Sequence, residues 1–230
     1  MQLLVADLGT VPYAEALELQ RAVARARIAG EIAEDVLLLV EHPPVVTLGR
    51  GTKAGNLTAS PELLAARGVE LFEVDRGGDV TFHGPGQLVG YPVIDLKRHR
   101  QDLHWYLRQL EEALIRALAP FGIIGARSVG QTGVWTTGQK IASIGVHARD
   151  WVTWHGFALN VSTDLSYFGL MVPCGIEAVT MTSVNVELNA MGRASVSVAD
   201  VSDAVARTFA GVFNLSVADG AGAELLRLPG

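Results

Sequence analysis

The sequence predicts an α+β fold, with strands bunched through the body of the chain and helices towards its ends. Three observations carry that expectation. Short apolar runs such as Asp35–Val40, Val45–Leu48 and Leu88–Ile94 are too brief for helices and are bounded by Gly and Pro. Longer stretches, Leu103 to about Pro120 and Ser195–Phe213, place Leu, Val and Phe at helical spacing instead. No repeat, low-complexity linker or shift in composition divides the chain, so residues 1–230 are expected to form one domain with a peripheral, frayed tail from about residue 214.

Taken in order, Thr10 and Pro12 open a helix whose apolar stripe, Ala14, Leu17, Val23, Ala24 and Ile28, runs to about Gly30. Asp35–Val40 and Val45–Leu48 read as strands, and Gly49–Thr52 as a loop. Ser60-Pro61-Glu62 supplies a cap, a proline at the first helical position and a first-turn acid for a short helix ending at Gly68. Val69–Val74 and Gln87–Ile94 are strands on either side of a glycine-rich turn. Lys97-Arg98-His99-Arg100 is a basic cluster, either a solvated loop or a docking patch for an acidic partner. Asp102 caps the helix with Leu107, Leu110, Leu114 and Leu118 on one face. Ile123–Val129 is strand-like, and Thr132–Trp135, Lys140–His147 and Val152–Val161 form an antiparallel meander. Thr163–Gly169 reads as a helical turn, Met171–Ile176 as a tight apolar segment, and Val179–Val186 fits neither pattern cleanly.

Composition narrows the function. With 49% hydrophobic residues the chain buries a substantial core. A net charge of -6 and no basic face argue against nucleic-acid binding. No apolar run reaches the ~20 residues of a membrane span. The start lacks the basic and apolar regions of a signal peptide, so a cytoplasmic location is expected. One cysteine, Cys174, excludes an internal disulfide and a multi-cysteine metal site. The histidines have neither HxH nor HExxH spacing, so no metal is expected. There is no GxxxxGK[ST] loop, no dinucleotide fingerprint and no Gly-x-Ser-x-Gly elbow, so the sequence gives no sign of ATP, NAD or another cofactor, nor of a serine hydrolase.

The turn Arg76-Gly77-Gly78-Asp79-Val80-Thr81-Phe82-His83-Gly84-Pro85-Gly86-Gln87 holds four glycines in twelve positions. Such density costs folding entropy and fits a backbone that comes close to a ligand, or one that simply turns. Cys174 lies between Pro173 and Gly175, which leaves its sulfur open to substrate; a lone cysteine is also a common small core residue. A nucleophilic thiol needs a neighbouring cation or base. The candidates are Lys140, His83, His147 and His155. Only three of the 18 basic residues are lysines, and arginine cannot give up its proton, which draws attention to Lys140 at the opening of a strand.

These segments together closely resemble the lipoyl(octanoyl) transferases. The resemblance rests on four motifs in order: Arg76–Gln87; Gly138-x-Lys140-Ile141-Ala142-Ser143-Ile144-Gly145; His155-Gly156-Phe157-Ala158-Leu159-Asn160; and Val172-Pro173-Cys174-Gly175-Ile176. It implies the catalytic-domain fold shared with biotin and lipoate protein ligases, a mixed sheet flanked by helices. It implies transfer of octanoyl from octanoyl-acyl carrier protein to a lysine of lipoyl domains, those of 2-oxoacid dehydrogenases and the glycine cleavage H protein. Cys174 then resembles the acyl-thioester nucleophile and Lys140 the residue that lowers its pKa. Arg76, Gly77, Gly78, Asp79, Val80, Thr81, Phe82 and His83, with Ser143, Ile144, Gly145, Gly156, Phe157 and Ala158, resemble the acyl-binding segments. His83 would orient Lys140, line the slot or assist proton transfer. Phe82 and Phe157 are expected as apolar walls, and the amides near Gly77-Gly78 or Gly145 as oxyanion donors. A monomer is expected. Two rivals share the fold: an ATP-dependent lipoate or biotin ligase, which would need no cysteine, and a non-catalytic module binding acyl chains or lipoyl domains.

Overall fold

The computed structural model describes residues 1–53, 55–171 and 179–218. Its centre is an eight-stranded mixed sheet of β1 (Gln2–Thr10), β2 (Asp35–Glu41), β6 (Gln87–Val93), β7 (Ala126–Ser128), β8 (Gln131–Thr136), β9 (Gln139–Arg149), β10 (Val152–Asn160) and β11 (Ser216–Val217). The spatial order is β11-β1-β2-β6-β10-β9-β8-β7. The β11, β1 and β2 strands are parallel; every other neighbouring pair is antiparallel. A second sheet of β3 (Val45–Leu48), β4 (Glu70–Glu73) and β5 (Val80–His83) has the order β4-β3-β5.

Each helix has a local reason to begin. Pro12 precedes α1 (Tyr13–Ala29), which ends on Gly30 in the left-handed region. The Ser60 hydroxyl accepts from the Leu63 amide at the head of α2 (Pro61–Ala66), and Asp102 accepts from Trp105 at the head of α3 (Leu103–Leu118). Ser183 caps α4 (Val184–Ala190), and Ser197 forms a reciprocal capping box with Asp200 on α5 (Val198–Val212).

The large sheet is buried on both faces. Leu110, Leu114 and Leu118 of α3 and Val201, Val205 and Phe209 of α5 pack with Leu37, Leu39, Ile141 and Leu159 into one core. On the other face α1 contributes Ala16, Val23 and Ala24 against Val36, Leu38, Val89 and Ala158. The small sheet has its own apolar cluster, in which Val46, Val80 and Phe82 meet Leu64, Phe168 and Leu170.

The structure departs from the sequence-based expectation at several points. Gln2–Thr10 is a strand, although its mixed burial hides the alternation. The glycine-rich turn contains β5, paired antiparallel with β3. Strand Ile123–Val129 shrinks to Ala126–Ser128, with Ile124 exposed. Val179–Val186 resolves into an extended approach to α4. Residues 215–218 are not frayed: the Ser216 and Ala218 amides donate to Met1 and Leu3 carbonyls at 3.1 and 2.9 Å, and Leu215 joins the core. The basic cluster is largely engaged internally, with His99 Nε2 2.6 Å from buried Asp35 and the Arg98 guanidinium on the Ala33 carbonyl. No helix among the described residues is long and apolar enough to cross a membrane.

Candidate functional site

Where the small sheet leans on the large one there is a cavity of about 260 Å³. One wall is the β9–β10 ladder, in which Gly145 pairs with Gly156 and Ser143 with Ala158. Lys140, Ser143, Ile144, Gly145, Gly156, Phe157 and Ala158 all reach this cavity. The facing wall is Arg76, Gly78, Asp79, Val80, Thr81 and His83. Tyr13 of α1 and Val89 and Tyr91 of β6 line it as well. Nothing in the local sequence pattern marked these last three.

Glycine is required where the walls touch. The Gly77 amide donates to the Val146 carbonyl at 2.8 Å, and a Cβ on Gly145 would stand 2.7 Å from the Gly77 carbonyl oxygen. Any side chain at Gly145 would push the loop off the strand. The Gly77 amide is therefore committed to the seam and is not an oxyanion donor. Val146 turns its carbonyl to that seam, so the preceding Gly145 amide faces its ladder partner Gly156, and Gly78 is the remaining candidate. Arg76, only 7% exposed, is a second tie. Its Nη2 donates to the Thr47 carbonyl at 2.8 Å and hydroxyl at 2.9 Å, fastening the loop to β3.

Strand alternation sorts the loop's own residues. On β5, Phe82 packs into the small-sheet cluster, so Thr81 and His83 fall on the opposite face, at the cavity; Val80, the first residue of the strand, touches both. Phe82 is consequently not a wall of the slot: its ring stacks on Tyr167 at 4.6 Å, on the far side of the strand. Phe157 does line the cavity.

His83 is 6% exposed, and burial pulls its pKa down to about 3, so the imidazole is neutral. Its Nδ1 lies 2.8 Å from Gln87 Oε1. Gln87 Nε2 is spent on the Phe82 carbonyl and Asn160 Oδ1, so Oε1 accepts and Nδ1 carries the proton. Nε2 is then the ring's acceptor. From Gln87 the polar chain continues: Asn160 Nδ2 donates to the Thr182 carbonyl, and the Thr182 amide donates to the Lys140 carbonyl, at 3.0 and 2.9 Å. A buried relay of backbone and amide groups thus runs from His83 to Lys140.

Lys140 is 3% exposed. A break in register explains how a charged residue sits there. Val134 pairs with Ala142 but Trp135 with Lys140, so Ile141 is an extra residue in β9. In a regular strand Lys140 and Ser143, three apart, would face opposite sides; the bulge lets both reach the cavity while Ile141 and Ala142 enter the core. The Lys140 ammonium lies 5.1 Å from the centre of the Trp135 ring. Its amide donates to the Thr180 carbonyl at 2.9 Å, so the chain following Cys174 returns alongside it. Cys174 itself, with residues 172–178, lies outside the described residues.

A second polar cluster borders the cavity. His155 Nε2 lies 2.8 Å from Asp75 Oδ1. That hydrogen bond holds the Asp75 carboxyl well below the usual carboxylate range, while desolvation lowers the His155 pKa. Among the described residues no group of three His, Cys, Asp or Glu could hold a metal ion.

A family model described as Lipoyl protein ligase A/B catalytic domain matches residues 12–210. An octanoyltransferase of Gloeobacter violaceus is 48% identical over 218 residues, covering 95% of this chain and 93% of that one. One from Rubrobacter xylanophilus is 57% identical over 182 residues, covering 78% and 81%. Among solved structures, a lipoate-protein ligase A bound with ATP superimposes with a TM-score of 0.73 at 19% identity, covering 99% of this chain and 93% of that one. A putative lipoate protein ligase from T. acidophilum gives 0.71 at 18%, covering 99% and 93%. At such identities these structures show a common fold.

Proposed function

The chain belongs to the lipoyl protein ligase A/B catalytic-domain family, among its octanoyltransferases, and we propose that it works as one domain through a Cys174 thioester assisted by Lys140. The enzyme is an acyltransferase acting in protein lipoylation. Octanoyl-acyl carrier protein is the donor, and a lysine of a lipoyl domain, in 2-oxoacid dehydrogenases or the glycine cleavage H protein, is the acceptor. The observation that carries the residue assignment is Lys140: a lysine only 3% exposed, lining a cavity whose walls mix glycine, aliphatic and aromatic residues with polar groups such as Arg76, Thr81, His83 and Ser143.

The chemistry follows from the groups present. The Cys174 thiolate, paired with the Lys140 ammonium, attacks the donor thioester carbonyl. The new C–S bond forms, the old one breaks, and the departing thiolate takes the Lys140 proton. Lys140 is then a neutral amine. In the second half the neutral acceptor lysine attacks the acyl-Cys174 carbonyl, a C–N bond replaces the C–S bond, and its surplus proton goes to Lys140. Thioester exchange is nearly isoenergetic and the transfer to an amide runs downhill, so no nucleotide is consumed. Both steps pass through an oxyanion, for which the Gly78 amide is the proposed donor. Gly156, Phe157, Ala158 and Ile144 hold the hydrocarbon, and neutral His83 accepts a hydrogen bond through Nε2.

The test is intact-protein mass spectrometry after mixing with octanoyl-acyl carrier protein and no nucleotide. An octanoyl adduct on the unaltered chain, lost in Cys174→Ala, is expected. Absence of an adduct, or its dependence on ATP, would overturn the assignment in favour of a binding module or a ligase.

A further inference from the structure

A lysine folded into a sheet needs a path for its stem, and Gly133 supplies one. A Cβ on Gly133 would stand 2.9 Å from Lys140 Cε and 2.6 Å from the Ala142 carbonyl oxygen, on the strand opposite. Gly133 also has φ +140°, a conformation essentially confined to glycine. So both the space for Lys140 and the backbone bend that makes it depend on this one residue.

The bend is held from α3. The Gly133 amide donates to Glu111 Oε1 at 3.1 Å. Glu111 is fully buried, yet its carboxylate is well supplied with partners: Oε2 accepts from Arg108 at 2.6 Å and Arg127 at 3.1 Å. Burying a carboxylate is costly even when it is paired, and an apolar residue would fill this stripe of α3 more cheaply. The proposed chemistry uses neither Glu111 nor Gly133.

We infer that Glu111 and Gly133 are positioning residues for Lys140: Glu111 fixes the Gly133 bend, and the bend sets where the ammonium lies. The inference rests on the Cys174–Lys140 pairing proposed above. Glu111 touches no reacting atom; it acts through the backbone.

The pH dependence of Cys174 alkylation by iodoacetamide tests it, because thiolate reacts and thiol does not. The full chain is compared with Lys140→Met, Glu111→Ala, Glu111→Gln and Glu111→Asp, each checked for its melting temperature. Lys140→Met should raise the alkylation midpoint. Glu111→Ala should raise it too, by about one pH unit, read as roughly tenfold slower alkylation below the midpoint. Glu111→Gln keeps an oxygen for the Gly133 amide and should restore the original midpoint, which a merely structural role for the charge would not do. Should Glu111→Ala fail to fold, Glu111→Asp decides, since it keeps the charge but withdraws the oxygen by one methylene and should raise the midpoint. If Lys140→Met moves the midpoint while the folded Glu111 variants do not, the positioning role is wrong and the pairing stands. If Lys140→Met leaves it unmoved, the pairing falls and this inference with it.

Discussion

The two walls of the cavity are built in opposite ways. The β9–β10 wall lies inside the large sheet, every residue of β10 is buried, and its neighbours pack into cores on both faces. The β5 wall belongs to a three-stranded sheet with a small cluster of its own; Arg76 ties its loop to Thr47 of that sheet, and Gly77 on Val146 and His83 on Gln87 join it to the large one. One wall is fixed by packing and the other is fastened to it. Changes to the first should therefore cost stability and activity together, whereas changes to the second can separate the two.

The largest effect is expected where the walls meet. Gly145→Val places methyl groups where the Gly77 carbonyl now lies, so the loop must lift. Transfer should fall by about 100-fold or more, because displacing catalytic groups by about 1 Å has that scale of effect. A steady-state assay shows it, and near-normal turnover would mean that the seam does not set the geometry. Next come two neighbours on β5 that face opposite ways. His83→Ala should lower kcat by roughly tenfold to hundredfold with the melting transition nearly unchanged. Phe82→Leu, deep in the small-sheet cluster, should do the reverse: a loss of about 1 kcal/mol in urea denaturation with little change in kcat. If both variants lose activity and stability in the same proportion, the two faces of β5 are not independent.

Acid should expose the fastened wall by another route. His83 and His42, whose rings lie 6.0 Å apart, have pKa values pulled down to about 3 and about 4 from 6.5, mainly by burial. Between those values and 6.5 the unfolded chain binds protons that the folded chain refuses. Stability therefore falls as pH drops below 6.5, by roughly 1 kcal/mol per pH unit for each histidine. Urea titrations at pH 7 and pH 5 measure the slope, and His83→Ala should flatten it. An unchanged slope in that variant would show that His83 does not titrate with unfolding.

What the sequence revealed divides along the same line. The meander of β8, β9 and β10 was legible because its strands are consecutive, apolar and joined by two-residue turns, Thr137-Gly138 and Asp150-Trp151. Helices α3 and α5 declared themselves by spacing. Strand β1 did not, because its partners lie far along the chain in β2 and β11 and only part of it is buried. Strand β5 was lost among the glycines around it, and with it the alternation that turns Phe82 away. The bulge at Ile141 leaves no periodic mark at all. Glu111 did leave one: an acid four residues after Leu107 and three before Leu114, inside an apolar stripe, is out of place unless something buried needs it. The chemistry came from motif likeness rather than from pattern, since no spacing says what surrounds Lys140 in space.

The Gly77–Gly145 seam also bears on redesign. There the distance between the walls is a matter of main chain against main chain, so no substitution at the seam can narrow or widen the opening by degrees. Val89 and Tyr13 reach the same space with side chains. An engineer seeking a longer or shorter fatty acid would trim or extend those two, and leave the gauge of the channel alone.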